Sequence, residues 1–559
     1  MNSREVYDNW LADECIDEET KAELRSIADD PVEIEERFYK DLEFGTGGLR
    51  GILGAGSNRM NKYTVAKASQ GIADHINSKR KNGSVAIAYD SRHMSAEFAE
   101  VTASVLNANG IKAYVFESLR PTPELSFTVR HLACDIGINV TASHNPAKYN
   151  GYKVYGRDGA QVTPPEDEEI MERVNAIKDF SMIKWMDRKD ADEKGLYIQI
   201  GQEIDEAYMA ELSSQVKEPE LIKEHAGEVN VVYTPLHGAG QKIVPQLLKS
   251  FGFKNLHIVE EQKDPDGDFP TVQFPNPEFE DAWTLALDLG RKVKADVMVA
   301  TDPDSDRMGV YVTDKDGNFH ALTGNMTGCL LCEYELSRLK AKGQIPSDGY
   351  VVRSIVSSRL FDRIAAEYQV AVREVLTGFK WIGKEILESE TNGSGTFLFG
   401  YEESYGYLVG THARDKDACV SALAICEACV YYKEQGKTLW DIMQEMYERY
   451  GFITEYNMSV TMEGKAGLEK ISEIMSAMRS DPPKKIAAYD VVNAIDYADP
   501  ASTGLPASNV LFYEMKDAWL CVRPSGTEPK IKYYIGVRGE NSKEALTKLE
   551  EIKSSLETV

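Results

Sequence analysis

The chain has 559 residues, 42% of them hydrophobic and 27% charged, with a formal net charge of −27. That length exceeds a single hydrophobic core at roughly 100–200 residues per domain, and the ordinary composition excludes a disordered or fibrous chain. The acidic balance repels nucleic acid and acidic membranes at long range, so neither is predicted as a partner, while a pocket with a few local cations can still hold a small anionic substrate.

The opening segment, Met1 to Trp10, has no basic and apolar stretch, so no secretory signal is predicted and a cytoplasmic location is expected. Gly45 to Gly51 is glycine-rich. It lacks both the Gly-Lys-Ser/Thr ending of a nucleotide loop and the Gly-x-Gly-x-x-Gly order of a dinucleotide fold, so ATP and NAD are poorly supported. Its backbone could bring Arg50 to a phosphoryl oxygen, for which a guanidinium is suited, and a plain N-terminal turn would account for the segment equally well.

Strand-length apolar runs then alternate with longer amphipathic patterns, which predicts α/β layers with largely parallel sheets. Strands are expected at 84–90, 112–116, 135–141, 229–234, 255–260, 296–301, 349–354 and 396–401. Three loops with chemistry start where such strands end, which is where open α/β sheets bind ligands.

The first loop is Thr141-Ala-Ser-His-Asn-Pro146. A free serine is a weak nucleophile, so Ser143 needs a base, a cation or a stored phosphoryl group, and His144 and Asn145 can orient it. A cap-rich turn would also account for these residue types. Lys153, in Asn150-Gly-Tyr-Lys153, is a candidate proton carrier.

The second loop is Asp302-Pro-Asp304-Ser-Asp306-Arg307, with carboxylates at every second position. A helix-loop-helix calcium site would want Gly and Glu where Arg307 and Thr313 stand, so the trio fits a single Mg²⁺ completed by a phosphate oxygen better. Asp264, Asp266 and Asp268 around Gly267 form a rival trio, read as a turn because nothing nearby supplies a reacting group.

The third loop is Gly400-Tyr401-Glu402-Glu403-Ser404, whose Glu402 and Ser404 suit the vicinal hydroxyls of a polyol. His412, Arg414 and Lys416 follow as charge clamps or proton carriers. The eight cysteines do not form a disulfide framework, and the pairs Cys329/Cys332 and Cys426/Cys429 lie in apolar helical segments, where buried core packing is expected rather than zinc. The apolar stretch 420–432 contains Glu427 and falls short of the ~20 residues of a membrane helix.

The last hundred residues change character. Strands at 452–461, 518–523 and 531–537 suit antiparallel pairing, and 542–556 reads as a closing helix. Arg523, Ser525, Gly526 and Thr527 make a nest for a phosphate dianion, with Lys530 in support. Four domains are expected, at 1–200, 201–325, 326–445 and 446–559.

Taken in order, these motifs resemble those of the α-D-phosphohexomutase superfamily, and most of all its phosphoglucomutase/phosphopentomutase branch. The resemblance runs through 44–51, 141–146 with 150–153, 302–307, Thr377-Gly378-Phe-Lys380, 400–404 and 523–527, nearly the whole chain. It implies three similar α/β domains and a C-terminal α+β lid around a central cleft. It also implies that Ser143 is a phosphoserine, that Asp302, Asp304 and Asp306 hold one Mg²⁺ with it, and that Lys153 is the general acid/base. Arg50, His144, Arg307, Lys380, His412 and Lys416 would assist the transferring group, with Thr377 and Gly378 lining the substrate. Glu402 and Ser404 would bind sugar hydroxyls, and Arg523, Ser525, Gly526, Thr527 and Lys530 the second phosphate.

The implied reaction interconverts glucose 1-phosphate and glucose 6-phosphate through glucose 1,6-bisphosphate, as a monomer or homodimer. Mannose and pentose phosphates are the alternatives within the mechanism. Tyr401, where many glucomutases have Gly, and Ala418, where Gly is common, bear on that preference. A metal-dependent phosphatase would want His ligands beside the Asp trio, and a non-catalytic phosphosugar sensor would have lost Ser143 or an Asp. Neither condition is met.

Overall fold

Runs such as Ile136–Val140, Val231–Thr234 and Val297–Thr301 are buried at every residue, the pattern of strands covered by helices on both faces. They organise a computed structural model that describes residues 2–43, 48–462, 464–525 and 530–556. The chain divides into two compact units, one holding residues 1–310, 386–388 and 406–430, the other 311–385, 389–405 and 431–559.

The first unit carries strands β1 (Gly48–Ile52), β2 (Ser84–Tyr89), β3 (Lys112–Phe116), β4 (Ile136–Val140), β5 (Tyr149–Tyr155) and β6 (Tyr197–Ile200), in the order β1-β5-β4-β2-β3-β6. Strands β4, β2, β3 and β6 run parallel, while β5 is antiparallel to both its neighbours, β4 and β1. The helix Lys62–Lys79 packs on this sheet. It starts at a capping box in which Asn61 accepts from Thr64 N and Thr64 returns a bond to Asn61 N. The helix Ser95–Ala108 brings Phe98, Ala103 and Leu106 to the same core. A second sheet follows, with β7 (Val231–Thr234) between β8 (Leu256–Ile258) and β9 (Val297–Thr301), and β10 (Met308–Thr313) beyond β9.

The other unit begins with β11 (Phe319–Leu322) and continues with parallel strands β12 (Gly349–Ser354), β13 (Ala371–Val375) and β14 (Thr396–Glu402), β12 lying central. Strand β15 (Gly406–Val409) belongs to the first unit. The C-terminal part is an antiparallel sheet of β16 (Phe452–Thr461), β17 (Lys485–Ile486), β18 (Tyr489–Asp496), β19 (Leu511–Met515), β20 (Ala518–Pro524) and β21 (Lys530–Gly539), in the order β16-β21-β20-β19-β18-β17. Alternate residues of β20 face two cores. Leu520 and Val522 join Ile471, Leu549 and Ile552 from the helices Gly464–Ser480 and Ser542–Leu556. Trp519 and Cys521 join Ile355, Val356 and Leu376 beside β12 and β13.

All eleven strands expected from the sequence are present. The structure trims Val229 and Asn230, ends the Asn255 strand at Ile258, and extends the last strand to Lys530–Gly539. Cys329, Cys332, Cys426 and Cys429 are buried in helices, and burial pushes the Cys329 and Cys332 thiols well above their usual range, which leaves them inert. Among the described residues no helix is long and apolar enough to cross a membrane.

Candidate active site

The serine loop leaves β4 and is folded by its own polar atoms. Thr141 Oγ1 donates to Asp90 Oδ2 at 2.6 Å and accepts from Ser143 N at 2.8 Å, closing a tight turn in which Ser143 takes a left-handed backbone with φ +52°. A left-handed non-glycine residue costs about 1–3 kcal/mol and persists only where surrounding contacts over-determine it. Here they come from Arg92. Its guanidinium donates to the carbonyl oxygens of Ser143 (2.5 Å), Pro146 (2.9 Å) and Tyr149 (3.1 Å) and also to that of Asn145. Asp90 pairs with Arg92 Nε at 3.2 Å, and the Phe269 ring lies 5.0 Å from the guanidinium carbon. Burial pushes the Asp90 carboxyl up and the Arg92 guanidinium down, and each opposes the other's shift.

The presented hydroxyl meets the acidic loop. Ser143 Oγ donates to Asp302 Oδ2 at 2.7 Å, and His144 Nδ1 lies 3.2 Å from Ser143 Oγ. Asp302 Oδ1 accepts from the backbone N–H groups of Asp306 (3.2 Å) and Arg307 (3.1 Å), which folds the loop back on itself. The carboxylates of Asp302, Asp304 and Asp306 are buried, with ligand atoms all within 4.8 Å of one another. Asp304 Oδ1 and Asp306 Oδ1 have no hydrogen-bond partner among the described residues. Three buried carboxylates with two such oxygens, beside a serine hydroxyl, are a donor set for a hard divalent cation, so the implied Mg²⁺ fits these residues.

Two lysines share the remaining charge. Lys153 on β5 reaches Asp304 Oδ2 at 2.7 Å and Asp306 Oδ2 at 3.1 Å, and Lys416 reaches Asp306 Oδ2 at 3.0 Å and Asp415 Oδ1 at 3.2 Å. Burial works against the Lys153 ammonium, yet Asp304 and Asp306 hold its pKa above the usual lysine value. Burial and the neighbouring carboxylates push Asp302 well up, whereas Asp306, despite burial, is held below the carboxylate range by Lys153, Lys416 and Arg307. Burial, with Arg307 and Arg50 close by, drives the His144 pKa well below its usual value, so its imidazole is neutral at pH 7.

Glycines let these pieces approach. A Cβ on Gly151 would sit 2.4 Å from the Thr141 carbonyl oxygen, and one on Gly48 would sit 1.9 Å from that of Tyr152. Strand β1 can therefore pair with β5, setting Arg50 opposite Gly151. The segment 411–417 is tied down separately. His412 Nε2 lies 2.7 Å from Asp417 Oδ2, to which Tyr208 also donates at 2.7 Å, and Asp417 Oδ1 accepts from the N–H groups of Cys419 and Val420 at the start of the helix Ala418–Lys433. His412 and Asp417 thus fix the helix start, and Lys416 bonds to the acidic loop through Asp306.

The first unit thus brings together Ser143, His144, Lys153, Asp302, Asp304, Asp306, Arg307 and Lys416, with Arg50 close to His144, while His412 is held on Asp417. The remaining candidates lie in the other unit. Parallel pairing puts the carboxyl ends of β12, β13 and β14 at one edge, where the turns of Ser354, Thr377–Lys380 and Glu402–Ser404 emerge. Gly378 has φ +109°, and Lys380 opens the helix Lys380–Asn392 with its ammonium 5.3 Å from the Trp381 ring. Glu402 is buried at the end of β14. Glu403 accepts from Ser354 Oγ at 2.9 Å, and burial, with Glu402 alongside, pushes its carboxyl up to about 7 while Arg523 opposes the shift. Ser525 N donates to Lys530 O at 2.7 Å, closing the β20–β21 connection, whereas Gly526 and Thr527, like Phe44 to Gly47, lie outside the described residues.

Tyr401 takes no part in the edge. Its ring is buried against the helix Gly324–Ala341, where a Cβ on Gly328 would come within 2.3 Å of it, and its hydroxyl donates to Asn325 Oδ1 at 3.2 Å and accepts from Ser358 N at 2.9 Å. The departure from glycine at this position is therefore a matter of packing. Asp264, Asp266 and Asp268 form a turn, as expected, with Asp268 on His93 at 2.7 Å.

Sequence reasoning missed Asp90, Arg92, Thr122 and Asn139. Asp90 and Arg92 follow the end of β2, where a parallel sheet puts its site residues, and that position was the available signal.

Residues 41–180, 206–317 and 323–450 match, in order, the family models for phosphoglucomutase/phosphomannomutase alpha/beta/alpha domains I, II and III. The chain is 37% identical over 518 residues to a phosphoglucomutase of Staphylococcus haemolyticus, covering 91% of this chain and 92% of that one. It is 36% identical over 523 residues to a phosphoglucomutase of Staphylococcus saprophyticus, covering 92% and 93%. The fold is also similar to that of Paramecium parafusin, a phosphoglucomutase, in its open form (TM-score 0.73, 18% identity, 93% and 96% covered). A phosphoglucomutase/phosphomannomutase family protein of Burkholderia thailandensis is similar as well (TM-score 0.67, 17% identity, 92% and 97% covered).

Proposed function

The chain belongs to the phosphoglucomutase/phosphomannomutase family of the α-D-phosphohexomutase superfamily, and on that premise we propose that it is a phosphoglucomutase working through a phosphoserine at position 143. Its multidomain α/β architecture has the three family domains and a further C-terminal domain, and we take the limits as 1–200, 201–325, 326–445 and 446–559. The observation that carries the reading is the 2.7 Å bond from Ser143 Oγ to Asp302 within a buried acidic trio flanked by two lysines.

Asp302, Asp304 and Asp306 would hold one Mg²⁺ together with an oxygen of the phosphoserine. The ion, when bound, supplies charge neutralisation to the oxygens of the transferring group. The chain's own residues do the rest. Phosphoserine 143 gives its phosphoryl group to the free hydroxyl of a hexose monophosphate, so the Ser143 Oγ–P bond breaks as a sugar O–P bond forms. The proton lost by the sugar hydroxyl balances the one Ser143 Oγ regains, and Lys153 relays it. The resulting glucose 1,6-bisphosphate then returns its other phosphoryl group to Ser143.

Arg50, Arg307, Lys416 and a neutral His144 surround the transferring oxygens, where fixed donors are worth most. Glu402 and Ser404 would take sugar hydroxyls, with Thr377, Gly378 and Lys380 beside them. Arg523, Ser525, Gly526, Thr527 and Lys530 would take the non-reacting phosphate. The substrate is a small sugar phosphate, with neither nucleic acid nor membrane as partner, and the expected location is the cytoplasm.

Incubation of the pure protein with glucose 1-phosphate, Mg²⁺ and a trace of glucose 1,6-bisphosphate tests the reading. Glucose 6-phosphate is the expected product. Free phosphate would mark a phosphatase, and no product a binding protein. Mannose and ribose phosphates in parallel rank the sugars.

A further inference from the structure

We infer that Thr122 is a positioning residue for the divalent cation, its hydroxyl holding the Asp304 carboxylate so that Oδ1 is the oxygen left for the metal. The inference rests on the metal site of the proposed function.

Thr122 is fully buried and grips Asp304 at two points. Its hydroxyl donates to Asp304 Oδ2 at 2.8 Å, and its backbone N–H donates to the Asp304 carbonyl oxygen at 2.8 Å. The residue opens the helix Thr122–His131, so its N–H is one of the amides that a helix cannot satisfy internally. Pro121 and Pro123 flank it, fixing φ on either side and carrying no N–H of their own.

The direction of the hydroxyl bond follows from chemistry. A carboxylate oxygen can only accept, so the single proton of Thr122 Oγ1 goes to Asp304. The side chain of Asn139, buried in β4 at 2.6 Å from Thr122 Oγ1, must then present its NH₂ to the hydroxyl and keep it in that rotamer. Lys153 Nζ takes a second place on Asp304 Oδ2 at 2.7 Å. Both donors sit on one oxygen, while Asp304 Oδ1, in the same buried carboxylate, has no hydrogen-bond partner among the described residues. Groups that orient a metal ligand in this way are worth roughly 10–100-fold in metal affinity.

Mn²⁺ binding to the metal-stripped full-length protein, followed through the paramagnetic signal of the free ion, tests this without reference to turnover. The wild type is expected to bind one ion per chain. Thr122→Val, which exchanges the hydroxyl for a methyl of similar size, should bind about 10–100-fold more weakly, and Thr122→Ser, which restores the hydroxyl, should return to within about 3-fold of wild type. Thermal denaturation without metal checks that the variants are folded. Should Thr122→Val fail that check, Thr122→Ala carries the same expectation. Wild-type affinity in the Val or Ala variant would overturn the inference, as would equal losses in Val and Ser. Absence of Mn²⁺ binding by the wild type would instead sink the metal site itself, and the inference with it.

Discussion

Arg92 donates to the Ser143 carbonyl oxygen at 2.5 Å from the other side of the loop that presents the serine hydroxyl to Asp302. One guanidinium thus holds the backbone in the left-handed turn that aims the nucleophile. A lysine cannot fork to several carbonyls, so Arg92→Lys should cost about 1–3 kcal/mol of stability through unmade hydrogen bonds. Arg92→Ala should cost about 3–5 kcal/mol, because Asp90 is left buried without its counter-charge. Denaturant unfolding of both variants gives the comparison, and activity should fall at least about 10-fold in each as the serine loses its orientation.

Gly151→Ala places a methyl 2.4 Å from the Thr141 carbonyl oxygen, which is backbone and cannot swing away. The serine loop must shift or β5 must bend. A stability loss of about 1–3 kcal/mol is expected, with kcat falling more than KM rises, since the damage is to the alignment of Ser143 and Lys153. Steady-state kinetics beside thermal unfolding separates the two effects.

Much of this site was legible in the sequence because its residues come in short runs at strand ends. Asp302, Asp304 and Asp306 occupy one turn, and Thr141 to Pro146 another, so spacing alone grouped them. Strand β5 was not legible. Its Asn150 and Gly151 weaken any strand pattern, and it lies antiparallel in a largely parallel sheet, so Lys153 was found by its motif and not by its element. Arg92 and Thr122 carry no spacing signal, since their partners lie 51 and 182 residues away in sequence. Strand β18 was missed because half of it is exposed and its alternation is broken at the Val491–Asn493 irregularity. Tyr401, which the sequence tied to sugar choice, packs against Gly328 and bonds to Asn325, partners 73 and 76 residues away that no local pattern signals.

That placement of Tyr401 is itself testable. Tyr401→Phe keeps the ring and removes a buried hydroxyl that joins Ser358 N to Asn325 Oδ1, while Ser358 N keeps its 3.0 Å bond to Asn325 Oδ1. A cost of about 0.5–1.5 kcal/mol is expected, with the ratio of glucose to mannose phosphate turnover unchanged. A changed ratio would mean that the side chain reports on the sugar.

Glu403 and Glu455 both titrate near neutrality, burial pushing each up to about 7. A raised carboxyl keeps its proton in the folded chain where the unfolded chain has lost it. Its contribution is complete below the ordinary carboxylate value, declines as pH rises toward 7 and is flat above. Stability should therefore fall from pH 5 to pH 7, and Glu403→Gln should flatten part of that slope. Unfolding midpoints across that pH range provide the measurement.

Lys153→Met removes the ammonium 2.7 Å from Asp304 and 3.1 Å from Asp306. Loss of a proton relay lowers turnover by roughly 10²–10⁴-fold, whereas binding of the sugar phosphate should change far less. Kinetics together with calorimetric binding distinguishes this from a collapsed site.

The most direct test follows the phosphoryl group onto Ser143. Dephosphorylated protein incubated with glucose 1,6-bisphosphate carrying labelled phosphoryl groups, then digested and mapped by mass, should carry one labelled phosphate on the peptide containing Ser143, and added glucose 6-phosphate should discharge it. Label that appears on another residue, or a Ser143→Ala variant that turns over at the wild-type rate, would contradict the account.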